Sequence, residues 1–141
     1  MGGFLDSPIK EKNPEPGINE NFYWAACGMQ GWRSGMEDTH ITSSVEIKGS
    51  YGQLFGVFDG HGGKEVAEYC KENFKKEFIK SEGFKAGDYK KALEDTFMLL
   101  DNDLKKESMA IDTGCTACVT FITKTQIFCA NSGDSRAVIA M

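Results

Sequence analysis

The stretch QLFGVFDGHGGKEVAEYCKENFKKEFIK, residues 53–80, changes its periodicity in the middle and thereby determines the fold class. Its first part, QLFGVFDG, is apolar at nearly every position, which predicts a strand buried on both faces. From Lys64 to Lys80 the apolar residues instead recur every three or four positions, which predicts a helix with one apolar stripe. That stripe comprises Val66, Tyr69, Cys70, Phe74 and Phe78. A buried strand therefore leads through a glycine-rich turn into an amphipathic helix.

The sequence on either side predicts further strands around a helical block. Residues 22–29 and 39–49 are rich in aromatic and β-branched residues, which is typical of strands. A second helix is predicted with Asp88 as its N-cap, and residues 81–87 form the linker between the two helices. The apolar stripe of this second helix comprises Tyr89, Leu93, Phe97, Leu100 and Leu104. Strand signals return at residues 115–123, 126–132 and 136–141. Strands that flank a helical block indicate an α+β fold with mainly antiparallel sheet.

The chain has the size of one domain, with 141 residues of which 40% are hydrophobic. Residues 1–20 contain all three prolines and many polar side chains, so we predict an irregular N-terminal segment there. Residues 21–141 form the domain proper. The sequence stops at Ile139, Ala140 and Met141 inside an apolar run, which predicts that residues 21–141 are the N-terminal part of a larger domain.

Composition restricts the partners and the compartment. A net charge of −5, with 16 basic and 21 acidic residues, argues against broad binding to nucleic acid. No run of about 18 apolar residues exists, so no transmembrane segment is predicted. Five cysteines without framework spacing indicate reduced thiols in a cytoplasmic or nuclear protein. Cys115 and Cys118 fall in a predicted strand, which would direct their side chains to opposite faces.

The N-terminus carries part of an N-myristoylation signal. Gly2 follows Met1 as that signal requires, but the motif needs Ser or Thr at position 6, where Asp6 stands. Modification at Gly2 would add a weak membrane contact. An unmodified cytosolic N-terminus is the alternative.

Two kinds of phosphate chemistry compete at residues 27–38, CGMQGWRSGMED. Cys27 and Arg33 have the Cys-x5-Arg spacing of a thiol phosphatase loop. Such a loop needs a helix that begins at the arginine, because the helix amides bind phosphate and lower the pKa of the thiol. The residues after Arg33 include an early glycine and then a β-branched run, so no helix is predicted there. The thiol hypothesis is therefore the less favoured of the two.

Carboxylates beside glycines predict a site for hard divalent cations instead. Glu37 and Asp38 come just before a predicted strand. Asp59 directly follows the buried strand, and Asp134 lies between the last two strands. Mg²⁺ and Mn²⁺ prefer oxygen ligands, and Gly60 lets its own carbonyl approach an ion closely. Two ions that share one carboxylate would lower the pKa of a bridging water, which could then attack phosphorus.

Two further side chains suit phosphoester hydrolysis. Arg33 offers a planar fork of donors that matches phosphate oxygens. His61 could protonate the leaving alkoxide as a general acid. Most of the candidate residues also have a structural alternative. Asp59 and Gly60 could form a simple turn, Glu37 and Asp38 a solvated loop, Arg33 a surface ion pair and Asp134 a polar turn.

Four motifs, in this order, resemble the N-terminal motifs of the metal-dependent protein phosphatase family, type 2C. They are GWRSGMEDTH, VFDGHGG, DTGCTACVTFI and NSGDSRAV, and the resemblance extends over essentially the whole chain. It implies a protein serine/threonine phosphatase that uses two Mg²⁺ or Mn²⁺ ions on phosphoprotein substrates. It also implies a sandwich of two antiparallel β-sheets flanked by helices, a four-layer αββα arrangement of which this chain is the N-terminal portion.

The resemblance assigns metal-binding roles by motif. Asp59 would bridge both metal ions, and Gly60 would provide its carbonyl to one of them. Glu37 and Asp38 would act through metal-bound waters. Asp134 matches a residue linked to a third, weaker ion.

The resemblance also implies that Arg33 holds the substrate phosphate and that His61 is the general acid. Family members have longer catalytic domains, and their remaining metal-binding aspartates lie in C-terminal motifs that this chain does not reach. The chain alone is therefore expected to bind metal weakly and to be inactive. A non-catalytic regulatory or binding module of the same fold is the alternative function. Exposed sheet edges in such a piece would favour a homodimer or a domain swap.

Overall fold

The structure is a computed structural model that describes residues 3–140. Within this range the strands, in chain order, are β1 (Phe4–Ile9), β2 (Glu15–Ile18), β3 (Tyr23–Ala26), β4 (Gly31–Arg33), β5 (Thr39–Ile47), β6 (Ser50–Phe58), β7 (Gly60–His61), β8 (Gly114–Cys115), β9 (Ala117–Ile122) and β10 (Ile127–Ser132). The helices are α1 (Glu65–Lys80), α2 (Glu82–Ala86) and α3 (Tyr89–Leu104), followed by a 3₁₀ turn (Ser108–Ile111).

A four-stranded antiparallel sheet in the order β10-β9-β6-β5 forms the centre of the fold. β6 lies inside this sheet and pairs with β5 along its whole length, from Thr39 opposite Phe58 to Ile47 opposite Ser50. Three smaller antiparallel pairs, β1-β4, β2-β3 and β7-β8, surround it. β6 ends at Phe58, and Asp59 connects it to β7, so the predicted Asp-Gly-His segment lies at the C-terminal end of an inner strand of the sheet.

The main core lies between one face of the central sheet and the helices α1 and α3. Leu54, Phe58 and Phe121 of the sheet are completely buried. Phe78 of α1 contacts Phe121 with ring centroids 5.0 Å apart, and Phe74 contacts Phe58 at 6.0 Å. Burying aromatic rings of this size dominates the hydrophobic free energy that holds the helices on the sheet.

The opposite face of the sheet is partly covered by the β2-β3 hairpin. Trp24 packs edge-on against Phe55 with ring centroids 6.1 Å apart. The side-chain amide of Asn19 donates to the Gln53 side-chain oxygen at 3.1 Å. Helices on one side and a second β layer on the other confirm the predicted α+β sandwich of antiparallel sheets. Val57 on this face remains 48% exposed, so β6 is not buried on both faces along its entire length.

Both predicted helices are confirmed. The apolar stripe of α1 faces the core, and the Asp88 carboxylate caps α3 by accepting a hydrogen bond from the Lys91 amide at 3.0 Å. The predicted linker at residues 81–87 is in fact the short helix α2. Ser81 caps it and Gly87 ends it with a φ of 80°, so two good terminal signals enclose a single helical turn.

Two terminal predictions are wrong. Residues 3–20 are not an irregular segment, because they contain β1 and β2, which pair with β4 and β3 respectively. Residues 136–140 form no strand, since they pair with none of the strands in the described part of the chain. Gly2 and Met141 lie outside the described residues. No described helix is both long and apolar enough to cross a membrane.

Candidate metal and phosphate site

A cleft of about 210 Å³ opens between β4, the loop after it and the C-terminal end of β6. The predicted site residues that line it are Arg33, Glu37, Asp38, Asp59 and Gly60. The cleft is completed by Met29, Gln30, Gly35 and Met36. Five of the seven residues predicted from the sequence are therefore brought together around one opening.

The backbone of Asp59 is held by Thr116, in the connection between β8 and β9. The Asp59 amide donates to the Thr116 hydroxyl at 3.3 Å, and the Thr116 amide donates to the Asp59 carbonyl at 2.8 Å. The Ser135 hydroxyl lies 2.7 Å from the Thr116 hydroxyl and extends this network. Asp59 thus stands at the end of a rigid strand with both of its main-chain polar groups satisfied.

Gly60 brings the loop before β5 close to the end of β6. Its amide donates to the Glu37 carbonyl at 3.2 Å. A Cβ atom at position 60 would lie 2.5 Å from that carbonyl oxygen and 2.9 Å from the Gly63 oxygen. Only glycine therefore permits the close approach that places Glu37 and its neighbour Asp38 beside Asp59.

Burial and neighbouring carboxylates disfavour ionisation of Asp38. Partial burial, followed by the charge of Asp59 and a hydrogen bond with it, raises the pKa of the Asp38 carboxyl above its ordinary value. The nearby Arg33 guanidinium lowers this pKa, and Glu37 raises it further. Two carboxyl groups held this close disfavour simultaneous ionisation unless a cation lies between them.

The donor set suits a hard divalent cation, although it is small. Within residues 3–140, no three His, Cys, Asp or Glu side chains converge closely enough to hold an ion. Mg²⁺, however, is usually bound through one or two carboxylates and several waters. Asp38 and Asp59 provide such a pair, and the close approach at Gly60 keeps main-chain oxygens beside them. The residues present therefore fit the metal that the sequence predicts, with part of a ligand set.

Two predicted site residues lie outside the cleft. His61 lines a separate cavity, and its ring covers Gly114, where an added Cβ would be 2.5 Å from the His61 Nε2 atom. Asp134 is exposed and does not line the cleft, although its neighbour Ser135 reaches Thr116. The roles predicted for His61 and Asp134 stay predictions.

Thr116 and Ser135 were missed by the sequence analysis. Their roles depend on the alignment of β8 and β9 with the end of β6, because Thr116 is 57 residues from Asp59 in the chain. The only local signal is that each lies inside one of the quoted motifs, DTGCTACVTFI and NSGDSRAV.

The thiol phosphatase arrangement lacks its helix. Arg33 is the last residue of the strand β4, and its carbonyl accepts a hydrogen bond from the Gln30 side chain at 2.9 Å. Cys27 is exposed and does not line the cleft that contains Arg33. Because Arg33 ends a strand instead of beginning a helix, it provides no helix dipole that would stabilise a thiolate at Cys27.

Comparison with known proteins agrees with the motifs. The family model described as Protein phosphatase 2C matches residues 23–141. The chain belongs to the protein phosphatase 2C family. A relative named Probable protein phosphatase 2C 2, from Paramecium tetraurelia, is 41% identical over 152 residues, which cover 99% of this chain and 50% of the relative.

Two further relatives, both named Protein phosphatase 2C homolog 2, extend this comparison. Protein phosphatase 2C homolog 2 of Hypocrea jecorina is 39% identical and covers 100% of this chain and 34% of its own length. The protein of the same name in Saccharomyces cerevisiae is 37% identical, over a match that covers 99% of this chain and 32% of the relative. The chain thus spans between 32% and 50% of the length of these three relatives. The resemblance to the N-terminal motifs of the family is confirmed.

Proposed function

We propose that the protein is a metal-dependent serine/threonine phosphatase in which residues 21–141 form the N-terminal part of the catalytic domain. The observation that supports this proposal is the grouping of Arg33 with three carboxylates and Gly60 around one cleft. These are the positions at which the type 2C motifs place phosphate-binding and metal-binding residues. Family membership and the names of the relatives support the coarser part of the proposal, that the protein is a protein phosphatase.

The metal-binding part of the proposal concerns four residues. Asp59 and the Gly60 carbonyl would bind two Mg²⁺ or Mn²⁺ ions, with Glu37 and Asp38 acting through water. When bound, such ions ionise water near neutral pH and neutralise charge on a phosphoester. The protein would contribute rigid placement, because Thr116 fixes the Asp59 backbone and Gly60 fixes the distance to Glu37.

The remaining roles concern the phosphate. The Arg33 guanidinium at the cleft would donate two hydrogen bonds to phosphate oxygens and orient the phosphorus atom. His61 would donate a proton to the leaving oxygen, which requires its ring to turn from Gly114 toward the cleft. Asp134 would hold a third, weaker ion at the exposed end of the Ser135 loop.

The full-length protein provides the test. We would measure hydrolysis of a phosphothreonine peptide with Mn²⁺, with EDTA, and in the variants Asp59→Asn, Arg33→Lys and Cys27→Ser. EDTA and Asp59→Asn should abolish the activity, and Arg33→Lys should raise the KM because lysine cannot bind phosphate in a bidentate manner. Cys27→Ser is the control and should be unchanged. Activity that resists EDTA and disappears in Cys27→Ser would instead identify a thiol phosphatase.

A non-catalytic binding module is the second candidate function. The observation that favours it is that no three metal-ligating side chains converge within residues 3–140. A full-length protein that binds a phosphopeptide equally well with and without Mn²⁺, and never hydrolyses it, would support this alternative.

Partners and location follow from the proposed activity. Phosphoproteins in the cytoplasm or nucleus would be the substrates, and no nucleic-acid partner is proposed. The free edges of the central sheet, at β5 and β10, could pair with a second copy. Light scattering on the purified chain would detect such a dimer.

A further inference from the structure

Two cysteines that are distant in the sequence face each other beside the core. The Sγ atoms of Cys70 and Cys115 are 3.8 Å apart, although the residues are separated by 45 positions. Cys70 is buried in α1, while Cys115 in β8 is only partly buried. Both thiols are free, and packing of α1 against β8 holds them at hydrogen-bonding distance.

The pair is accessible to small molecules. Both cysteines line a cavity of about 330 Å³ that is partly open to solvent. Polar side chains line the same cavity, among them His61 and Lys105. A small hydrophilic oxidant such as hydrogen peroxide could therefore reach the sulfur atoms without unfolding of the core.

We propose that Cys70 and Cys115 are a redox modification site that a peroxide converts reversibly into a disulfide. The more exposed Cys115, as its thiolate, attacks one peroxide oxygen, an S–O bond forms and the O–O bond breaks, and the departing hydroxide takes up the proton that the thiol released and leaves as water. The Cys70 sulfur then attacks the Cys115 sulfur, so that the S–S bond forms and the S–O bond breaks, and the departing hydroxide takes the proton of the Cys70 thiol and leaves as a second water. Two thiols and one peroxide thus give one disulfide and two waters, and a dithiol reductant reverses the change.

Disulfide formation at this position would also affect the geometry of the candidate metal cleft. Cys115 pairs with Gly60 in the β7-β8 ladder, and the next residue, Thr116, holds the Asp59 backbone. A disulfide requires an S–S distance of about 2.05 Å, so the gap of 3.8 Å must close, and we expect part of this closure to draw β8 toward α1. This effect on metal binding rests on the proposed function, whereas formation of the disulfide itself does not.

The chain contains natural controls for this chemistry. Cys118 and Cys129 are close neighbours on the paired strands β9 and β10, and Cys118 lines a different cavity from the one beside Cys115. Cys27 is exposed and has no cysteine partner among the side chains of residues 3–140. The double variant Cys118→Ser/Cys129→Ser therefore removes the competing pair, and Cys27 reports general thiol oxidation.

The experiment treats the purified chain with hydrogen peroxide, blocks remaining thiols by alkylation and maps cross-linked peptides by mass spectrometry. We expect a Cys70–Cys115 linked peptide that is retained in Cys118→Ser/Cys129→Ser, absent in Cys115→Ser and lost after treatment with dithiothreitol. Full alkylation of Cys70 and Cys115 at a dose that oxidises Cys27 would overturn the proposal. So would a Cys118–Cys129 link as the sole intramolecular product.

A second measurement tests the link to the cleft. Mn²⁺ titration by calorimetry should show at least a threefold weaker affinity after oxidation, and no change in peroxide-treated Cys70→Ser. A disulfide that forms without altering the affinity would overturn only the coupling to the cleft. A reduced full-length protein that binds no Mn²⁺ would contradict the proposed function and leave the mapped disulfide as evidence for the redox site.

Discussion

Thr116 binds both main-chain polar groups of Asp59, at 2.8 Å to the carbonyl and 3.3 Å to the amide. The carboxylate on which the proposed metal chemistry depends is therefore held by a residue from a different part of the chain. Thr116→Val removes the hydroxyl acceptor but keeps the shape, so the Asp59 amide loses its partner. We expect a loss of about 1 kcal/mol in the free energy of unfolding, measured by urea denaturation.

The matched variant Thr116→Ser keeps the hydroxyl and should retain most of that stability. Mn²⁺ affinity should follow the same order, with Thr116→Val weaker than Thr116→Ser. Equal affinities in the two variants would show that the hydroxyl does not position Asp59.

Gly60→Ala should disturb the cleft, whereas Gly35→Ala should not. The new methyl at position 60 would lie 2.5 Å from the Glu37 carbonyl oxygen, so the loop that carries Glu37 and Asp38 must move. A methyl at position 35 would meet nothing within 4 Å. We expect Mn²⁺ affinity to fall at least tenfold in Gly60→Ala and less than twofold in Gly35→Ala, as measured by calorimetry. Similar losses in both variants would argue against the close approach at Gly60.

Stability in the absence of metal should depend on the ionisation of Asp38. Its pKa is raised in the folded state, because of burial and the neighbouring Asp59, so the folded protein binds this proton more tightly than the unfolded chain does. The resulting stabilisation is complete below the ordinary pKa of 3.8 and is lost as the pH rises through the folded-state pKa. Asp38→Asn should therefore be more stable than the wild type at neutral pH in EDTA, and the difference should shrink in acid.

Urea unfolding at several pH values measures this difference, with Asp134→Asn as the exposed control. Excess Mn²⁺ should reverse the order at neutral pH, because under the proposed function the wild-type site would bind the ion in the folded state only. An Asp38→Asn variant that is less stable than the wild type in EDTA would contradict the electrostatic argument.

Phe74 should be among the most costly side chains to truncate. It is 1% exposed and contacts the rings of Phe58, Phe78 and Phe97. Phe74→Ala should reduce the free energy of unfolding by roughly 3–5 kcal/mol, since it leaves a cavity beneath α1. Ile79→Ala on the same helix, where the side chain is 40% exposed, should cost less than half as much. Thermal and urea unfolding of the two variants would check this ratio.

The helices could be predicted from the sequence because their signals are local. The period of α1 and the Asp88 cap of α3 are read within a few residues of where they act. The strands β1 and β2 could not be predicted in this way, because their stability comes from pairing with β4 and β3 and not from their own composition.

In the candidate site, too, residues with local signals could be predicted, whereas residues that depend on contacts between distant parts of the chain could not. Arg33, Asp38 and Asp59 could be selected as candidates from their residue types and neighbouring glycines, and the structure places all three around one cleft, while their roles stay predictions. Thr116 could not, since a hydroxyl becomes an acceptor for Asp59 only after β8 and β9 are aligned with β6. The orientation of the His61 ring could not be predicted from the sequence either, because it depends on packing of the ring over Gly114.

The hydrogen bonds beneath the β2-β3 hairpin determine how this hairpin sits on the central sheet. Gln53 is completely inaccessible to solvent, and its oxygen accepts hydrogen bonds from Asn19 at 3.1 Å and from Ser44 at 2.8 Å. A purely apolar contact would allow the hairpin to slide over the sheet, because hydrophobic burial is not directional. A buried amide, in contrast, is satisfied only where its hydrogen-bond partners lie at the right positions. Displacing the hairpin by one residue would leave these polar groups buried without hydrogen-bond partners. The side chains of Asn19, Ser44 and Gln53 therefore fix the position of the β2-β3 hairpin on the central sheet.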